Sequence, residues 1–252
     1  MPSQVSPSLS TARRSAIARI VAQSGAARVV DLVQRFGVNA ATIRRDLNEL
    51  ERQGLLRRVH GGAVAVEPGR FKDAAAQATR IGRAAAEILT DGETVFLGPG
   101  PLVLQVAYWL ADRPQMTIIT NGLEIAHWIA THTHHNLIVT GGQAEGSELG
   151  LVGHLTRTAL SSLRADHVVL ELGGVSAVEG LTDDSLAQAE IAQLLLGTGA
   201  GVIILVPVER VGRVAAAYIA PASDADAIVT AREAPSPALW DLTECGVRVV
   251  LA

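Results

Sequence analysis

The spacing of hydrophobic positions changes several times along this chain. Within "TARRSAIARIVAQS" (11–24), Ile17, Ile20 and Val21 followed by Gly25 predict a helix that stops at the glycine. Val30, Leu32, Val33 and Phe36 predict a second, short helix over 28–36, with Gly37 as its C-terminal cap. Ile43, Leu47 and Leu50, at i, i+4 and i+7, form the buried stripe of a third helix. Asn39 suits its N-cap, and Val38 and Ile43 hold the two positions of a hydrophobic staple. After Gly54 the period shortens. "LLRRVH" and "AVAV" read as two strands joined at Gly61-Gly62, both tolerant of positive φ. Three helices and a hairpin predict a winged helix-turn-helix.

Beyond it, "VEPGRFKDAAAQ" (66–77) reads as a linker. Short apolar runs then recur: "ETVFLG", "MTIIT", "NLIVTG", "HVVLEL", "GVIILV", "AIVT" and "VRVVLA". Helical patterns separate most of them, at 79–89, 102–111, 122–131, 153–163 and 184–196. That alternation predicts a parallel, Rossmann-like α/β sheet. The expected division is a flexible N-terminus (1–10), a winged helix-turn-helix (11–67), a linker (68–78) and an α/β domain (79–252). Ligands in such sheets bind where strand ends lead into helix N-termini. The candidate loops are "GPGPL" (98–102), "TNGLE" (120–124), "TGGQ" (140–143) and "GLTDD" (180–184).

Composition changes the picture in two ways. Apolar residues make up 48% of 252 and the mean hydropathy is +0.29, yet no run of about 18 apolar residues occurs, so no spanning helix is expected. "MPSQVSPSLSTARR" lacks the apolar core of a secretory signal. The single Cys245 excludes an intramolecular disulfide and a cysteine-based zinc site, so a cytoplasmic protein is expected. Charge, in contrast, is unevenly shared. Residues 1–70 carry 11 Arg against 5 acidic residues, a net of +6, and the remainder 10 basic against 20 acidic, a net of −10. A basic module for a polyanion beside an acidic domain fits this division.

Five arginines fall between Val38 and Val64. Thr42, Arg44, Arg45 and Asn48 lie off the apolar stripe of the third helix. That helix can enter a major groove about 12 Å wide, with Arg44 or Arg45 paired to guanine edges. Arg57 and Arg58 on the hairpin can reach phosphates or the minor groove. Asn39 and His60 complete the candidate DNA contacts, although His60 also reads as a turn-packing residue. Asp46 and Glu49 are expected to be solvated or paired along the helix, and Arg52 can pair with Asn48 or Glu49.

"TIRRDLNELERQGLLRRVHGGAV" resembles the DNA-binding signature of DeoR-type bacterial transcriptional regulators, over Arg14 to about Val66. "IGRAAAEILTDGETVFL", "TIITNGLEIA", "VTGG" and "GRVAAAYIAP" resemble the effector domain of the same family. The resemblance implies a repressor of sugar or related carbon metabolism. It also implies an effector domain similar in fold to ribose-phosphate isomerases, binding a phosphorylated sugar or related metabolite.

The loops depart from that family pattern. Where "DSGTT" is usual, this chain has Gly98, Pro99, Gly100, Pro101 and Leu102, so two N–H donors and the hydroxyls of a phosphate cradle are missing. Where "D.SKFG" is usual it has "PVERVG", with Pro207 at the aspartate position and Arg210 at the lysine. Ala187 and Ala192 stand where acidic and basic residues are common. The candidate effector residues are Gly98, Gly100, Thr120, Asn121, Gly122, Thr140, Gly141, Gly142, Thr182, Asp183 and Arg210. Three readings stay open: a working pocket, a pocket for a less anionic effector, or ordinary turns in a domain that serves oligomerisation.

Isomerase chemistry needs a positioned carboxylate. The loops that should carry it offer Pro and Gly, although Asp183, Asp184 and Glu171 could be arranged to supply one; no catalytic residue is assigned and no cofactor is expected. His127, His132, His134 and His135 straddle a helix end and a turn without metal-ligand spacing, and no metal is expected. His127 can cap packing, and His132, His134 and His135 are expected to be exposed. The expected partners are double-stranded DNA, a small effector and, because winged helices pair on paired half-sites, a second copy of the chain.

Overall fold

The computed structural model describes residues 9–52, 56–59, 61–64, 68–146 and 148–252; for 9–12, 15, 22, 23, 52, 57 and 68–73 it describes the backbone alone. The chain divides into two compact units, Met1–Ala75 and Ala76–Ala252.

The first unit comprises α1 (Leu9–Ser24), β1 (Ala26–Arg28), α2 (Val29–Phe36), α3 (Ala40–Arg52), β2 (Arg57–Val59) and β3 (Gly62–Val64). The apolar stripe Ile43, Leu47 and Leu50 is buried against Ile17 and Val21 of α1 and Leu32 of α2. The caps follow from the residue types. Gly37 ends α2 at φ 63° and donates to Val33 O, while Asn39 Oδ1 accepts from Thr42 N at 2.8 Å at the start of α3.

Two details differ from the sequence expectation. The hairpin is part of a three-stranded sheet in the order β1-β3-β2. Strand β1 is only "AAR", too short for any periodicity to show, and exists through its pairing with β3. Val59 pairs with Gly62, so Gly62 belongs to β3 rather than to the turn. Gly61 takes φ 86°, whereas Gly62 is needed for close approach. A Cβ at position 62 would stand 2.3 Å from the carbonyl oxygen of Ala27 on β1.

The helix expected over 79–89 is α4 (Pro68–Ala86), which takes in the stretch 68–78 read as a linker. Proline in a first turn and the Ala-rich "DAAAQA" both favour helix. There follow β4 (Thr94–Leu97), α5 (Pro101–Leu110), β5 (Thr117–Thr120), α6 (Leu123–His132) and β6 (Asn136–Val139). Next come a hairpin of β7 (Gln143–Glu145) and β8 (Gly150–Val152), then α7 (His154–Ser162), β9 (His167–Glu171), β10 (Gly174–Ser176), β11 (Gly180–Asp183) and α8 (Leu186–Leu196). The chain closes with β12 (Gly201–Leu205), β13 (Ala217–Ala220), β14 (Ala227–Thr230), α9 (Ser236–Glu244) and β15 (Arg248–Leu251).

The seven expected strands form one parallel sheet in the order β15-β14-β12-β9-β4-β5-β6. Its strands are apolar on both faces, and alternate residues serve two cores. Val95, Leu97, Ile118, Val169 and Ile203 face α4, α5 and α6 through Ile81, Val103, Val106 and Ile125. Phe96, Val168, Leu170, Val202 and Ile204 face α7, α8 and α9 through Leu160, Ile191, Leu195 and Leu242. Strands β10, β11 and β13 make a separate antiparallel sheet. Chain direction across the large sheet reverses between β4 and β9, and a crevice opens beyond their carboxyl ends.

Candidate functional site

In the first unit, Arg44, Arg45 and Asn48 are exposed on α3, and Thr42 is half-buried at its start. Asn39 accepts from Thr42 N and, at 3.0 Å, from Thr42 Oγ1, so its side chain is engaged in capping. Arg58 is brought onto α3 from β2: its backbone N donates to Glu51 Oε1 at 2.6 Å and its guanidinium to Asn48 Oδ1. The wing and the third helix thus form one exposed polar face. His60 and the side chains of Arg57 and Arg52 lie outside the described residues. Asp46 is neither solvated nor paired along its own helix. It is buried, and its carboxylate accepts from Arg13 Nε at 2.6 Å and Nη2 at 3.3 Å, fastening α3 to α1. The motif's single aspartate is a packing device, and a polar position adjoining an apolar stripe was its only signal.

In the second unit the crevice between β4 and β9 leads into a cleft of about 360 Å³. It is lined by Glu145 and Glu148 from the β7–β8 hairpin, Glu171 at the end of β9, Asp183 at the end of β11 and Asp184 just after it, and Arg210 after β12. Deeper, a chamber of about 50 Å³ adds Pro99 and Asn121 to Glu148, Glu171, Asp183 and Gln188. Of the expected effector residues, Asn121, Asp183 and Arg210 line these spaces.

Others are spent inside the protein. Thr120 Oγ1 donates to Leu97 O at 2.6 Å and accepts from Gly122 N at 2.9 Å. Thr182 Oγ1 donates to Gly174 O and accepts from Ala215 N. Thr140 Oγ1 donates to Gly141 O, which also receives Thr156 Oγ1, while Gly142 takes φ 128° against Thr156. Gly98 N donates to Val169 O.

Glu171 governs the loop at 98–102. Its Oε2 accepts from Leu102 N at 2.8 Å, the first peptide N–H of α5 after Pro101. A Cβ on Gly100, at φ 131°, would lie 2.6 Å from that oxygen. Arg210 Nη1 donates to Glu171 Oε1 at 3.2 Å and to Leu172 O at 3.0 Å. Burial dominates all the same and pushes the Glu171 carboxyl up to about 7, because water is lost from almost the whole group. Burial also raises Glu148 and Asp183. Asp184 is lowered by its paired bonds from Arg213 at 2.9 and 2.6 Å. Glu148 and Gln188 were not expected here. Glu171 carried a legible signal, as a carboxylate directly after the apolar run Val168–Leu170.

Among the histidines, His135 is half-buried rather than exposed. Its Nδ1 accepts from Met116 N at 3.2 Å, which leaves Nε2 to donate to Leu110 O at 2.8 Å. His132 stacks on Trp128 at 5.1 Å.

Comparison with known proteins agrees with both halves. Residues 13–68 match a DeoR-like helix-turn-helix domain and residues 73–232 a DeoR C terminal sensor domain. The glycerol-3-phosphate regulon repressor of Escherichia coli (strain K12) is 29% identical over 248 residues, covering 96% of this chain and 98% of that protein. The HTH-type transcriptional regulator UlaR of Shigella sonnei (strain Ss046) is 27% identical over 247 residues, covering 94% and 97%. Among solved structures, ribose 5-phosphate isomerase A of Methanocaldococcus jannaschii shares 12% identity at a TM-score of 0.39, over 53% of this chain and 52% of that one. With a helix-turn-helix bearing an exposed polar third helix, and a sensor domain matched over most of its length, the chain belongs to the DeoR family of DNA-binding transcriptional regulators.

Proposed function

We propose that the chain represses genes of sugar or related carbon metabolism, and that a small metabolite bound in the β4–β9 cleft controls its hold on DNA. The observation that carries the reading is the exposed face of α3, where Arg44, Arg45 and Asn48 stand clear of the buried stripe. Arg45 or Arg44 would read guanine in the major groove, while Arg57, Arg58 and His60 would meet the backbone or the minor groove. Asn39 and Thr42 would meet phosphate at the start of α3.

Catalysis is not part of the proposal. The carboxylate best placed in the cleft, Glu171, is committed to Leu102 N and Arg210, and the similar proteins of Escherichia coli and Shigella sonnei are named as a repressor and a transcriptional regulator. Among the described residues no helix is long and apolar enough to cross a membrane, and a regulator of this kind would work in the cytoplasm. Half-site recognition calls for a homo-oligomer.

One observation favours a second reading, in which the sensor domain serves assembly alone. The start of α5, where a phosphate would bind, is closed by Glu171. Selecting operator fragments from genomic DNA with the full chain, and then testing whether metabolites release them, separates the two. Release by a metabolite supports a sensor; binding that no metabolite class alters supports assembly.

A further inference from the structure

The cleft offers a ligand an unusual set of atoms. Asn121 is fully buried, and its Nδ2 donates to Leu151 O at 2.9 Å, which fixes the amide so that Oδ1 is the free end. That oxygen has no hydrogen-bond partner among the described residues, and Asn121 lines the inner chamber beside Glu148, Glu171 and Asp183. A buried amide oxygen without a donor is costly, so a donor is wanted at this point.

The charges around it point the same way. Arg213 covers both oxygens of Asp184, and Arg210 is shared between Glu171 and Leu172 O. Glu145, Glu148 and Asp183 form no ion pair with an arginine among the described residues. Asp183 is met by the backbone N–H groups of Gly173 and Ser185, and Glu145 by Ser185 Oγ. Two prolines and Glu171 remove the donors that an anion would use at the start of α5.

We propose that this cleft takes a small polyhydroxy molecule bearing a protonated amine, whose ammonium is held by Asn121 Oδ1 and the carboxylates of Glu148 and Asp183, in place of a phosphate ester. An ammonium supplies three donors to atoms that are all acceptors. The inner chamber of about 50 Å³ admits a group of that size, and the outer cleft of about 360 Å³ holds the hydroxylated remainder. An organic cation fits better than a metal ion, since no group of three or more His, Cys, Asp or Glu among the described residues is arranged to hold one. Gln188 and the free edge of Arg210 remain for hydroxyls. The inference rests on the reading of this cleft as the effector site.

The test is calorimetric titration of the full chain with two matched series: D-glucosamine, D-glucose and D-glucose 6-phosphate, and 3-amino-1,2-propanediol, glycerol and glycerol 3-phosphate. In at least one series the amine should bind at least tenfold more tightly than both the neutral and the phosphorylated member. Glu148→Gln, which keeps shape and removes charge, should lower amine affinity at least tenfold without lowering the melting temperature of the free protein. Tighter binding of a phosphate ester, weakened by Arg210→Ala, would overturn the amine assignment and leave a working effector site. Silence from every compound would overturn the assignment and the effector reading together.

Discussion

Glu171 accepts a hydrogen bond from Leu102 N at 2.8 Å, so a carboxylate from the end of one central strand closes the helix that begins after its neighbour. Burial pushes this carboxyl up to about 7; Glu148 and Glu209 add to the rise, and Leu102 N and Arg210 oppose it. The native protein therefore keeps a proton that the unfolded chain loses above the ordinary value of 4.5. The contribution to stability is complete at low pH and is lost as pH rises from about 4.5 through about 7. At about 1.4 kcal/mol per unit of pKa, the loss amounts to roughly 3 kcal/mol. Glu171→Gln keeps an acceptor for Leu102 N and removes the titration. Melting temperatures from pH 5 to pH 8 should fall more steeply for the native protein than for the variant, and parallel curves would refute the assignment.

The large sheet was legible because each of its strands is a short apolar run bounded by turn residues, and burial on both faces demands such runs. The strands that sequence reading missed are of another kind. "AAR", "QAE" and "GVS" have no pattern of their own; the first becomes a strand by pairing with the distant β3, and the other two by folding back in hairpins on β8 and β11. The site divides in the same way. Asn121 and Arg210 follow from the rule that ligands meet parallel sheets at strand ends, whereas Asp183 reaches the cleft from the end of β11 in the antiparallel sheet. Glu148 does not follow from that rule, because a polar turn brings it over the crevice and nothing local marks that destination.

The paired glycines at the wing make a contrast that the sequence alone conceals. Gly61 has open space around its Cβ position and a φ of 86°, so Gly61→Ala should cost about 1–2 kcal/mol of left-handed strain. Gly62→Ala meets the Ala27 carbonyl oxygen at 2.3 Å and must displace β1, at a cost of about 1–3 kcal/mol or more. Hydrogen exchange at the β3 amides reads the difference. The second variant should lose the protection that comes from β1, and the first should keep it.

Asp46 directly follows the two arginines of the third helix and reads, in sequence, as solvated or paired along it. Its pairing with Arg13 assigns it to the fold. Asp46→Asn should destabilise the N-terminal unit by about 1.5–3 kcal/mol, the range for a charge-assisted hydrogen bond. Operator affinity of the folded variant, measured well below its melting temperature, should change little. A stable variant with lost affinity would reverse the assignment.

Arg45 and Arg58 are both exposed, yet they stand on different elements and should fail differently. Arg45 lies on α3, where one bidentate contact to guanine is worth about 1–3 kcal/mol of discrimination. Arg45→Ala should lose that much on the selected operator, and its preference at one base pair should relax. Arg58 comes from the wing and already leans on Asn48, so its partner on DNA would be phosphate, which carries no sequence. Arg58→Ala should weaken all sequences about equally and reduce the slope of log affinity against log salt by about 0.9, the release of one counterion. Fluorescence anisotropy on operator and scrambled duplexes at three salt concentrations measures both quantities. If Arg58→Ala changed base preference and Arg45→Ala changed only the salt slope, the assignment of α3 as the reading helix would be the wrong way round.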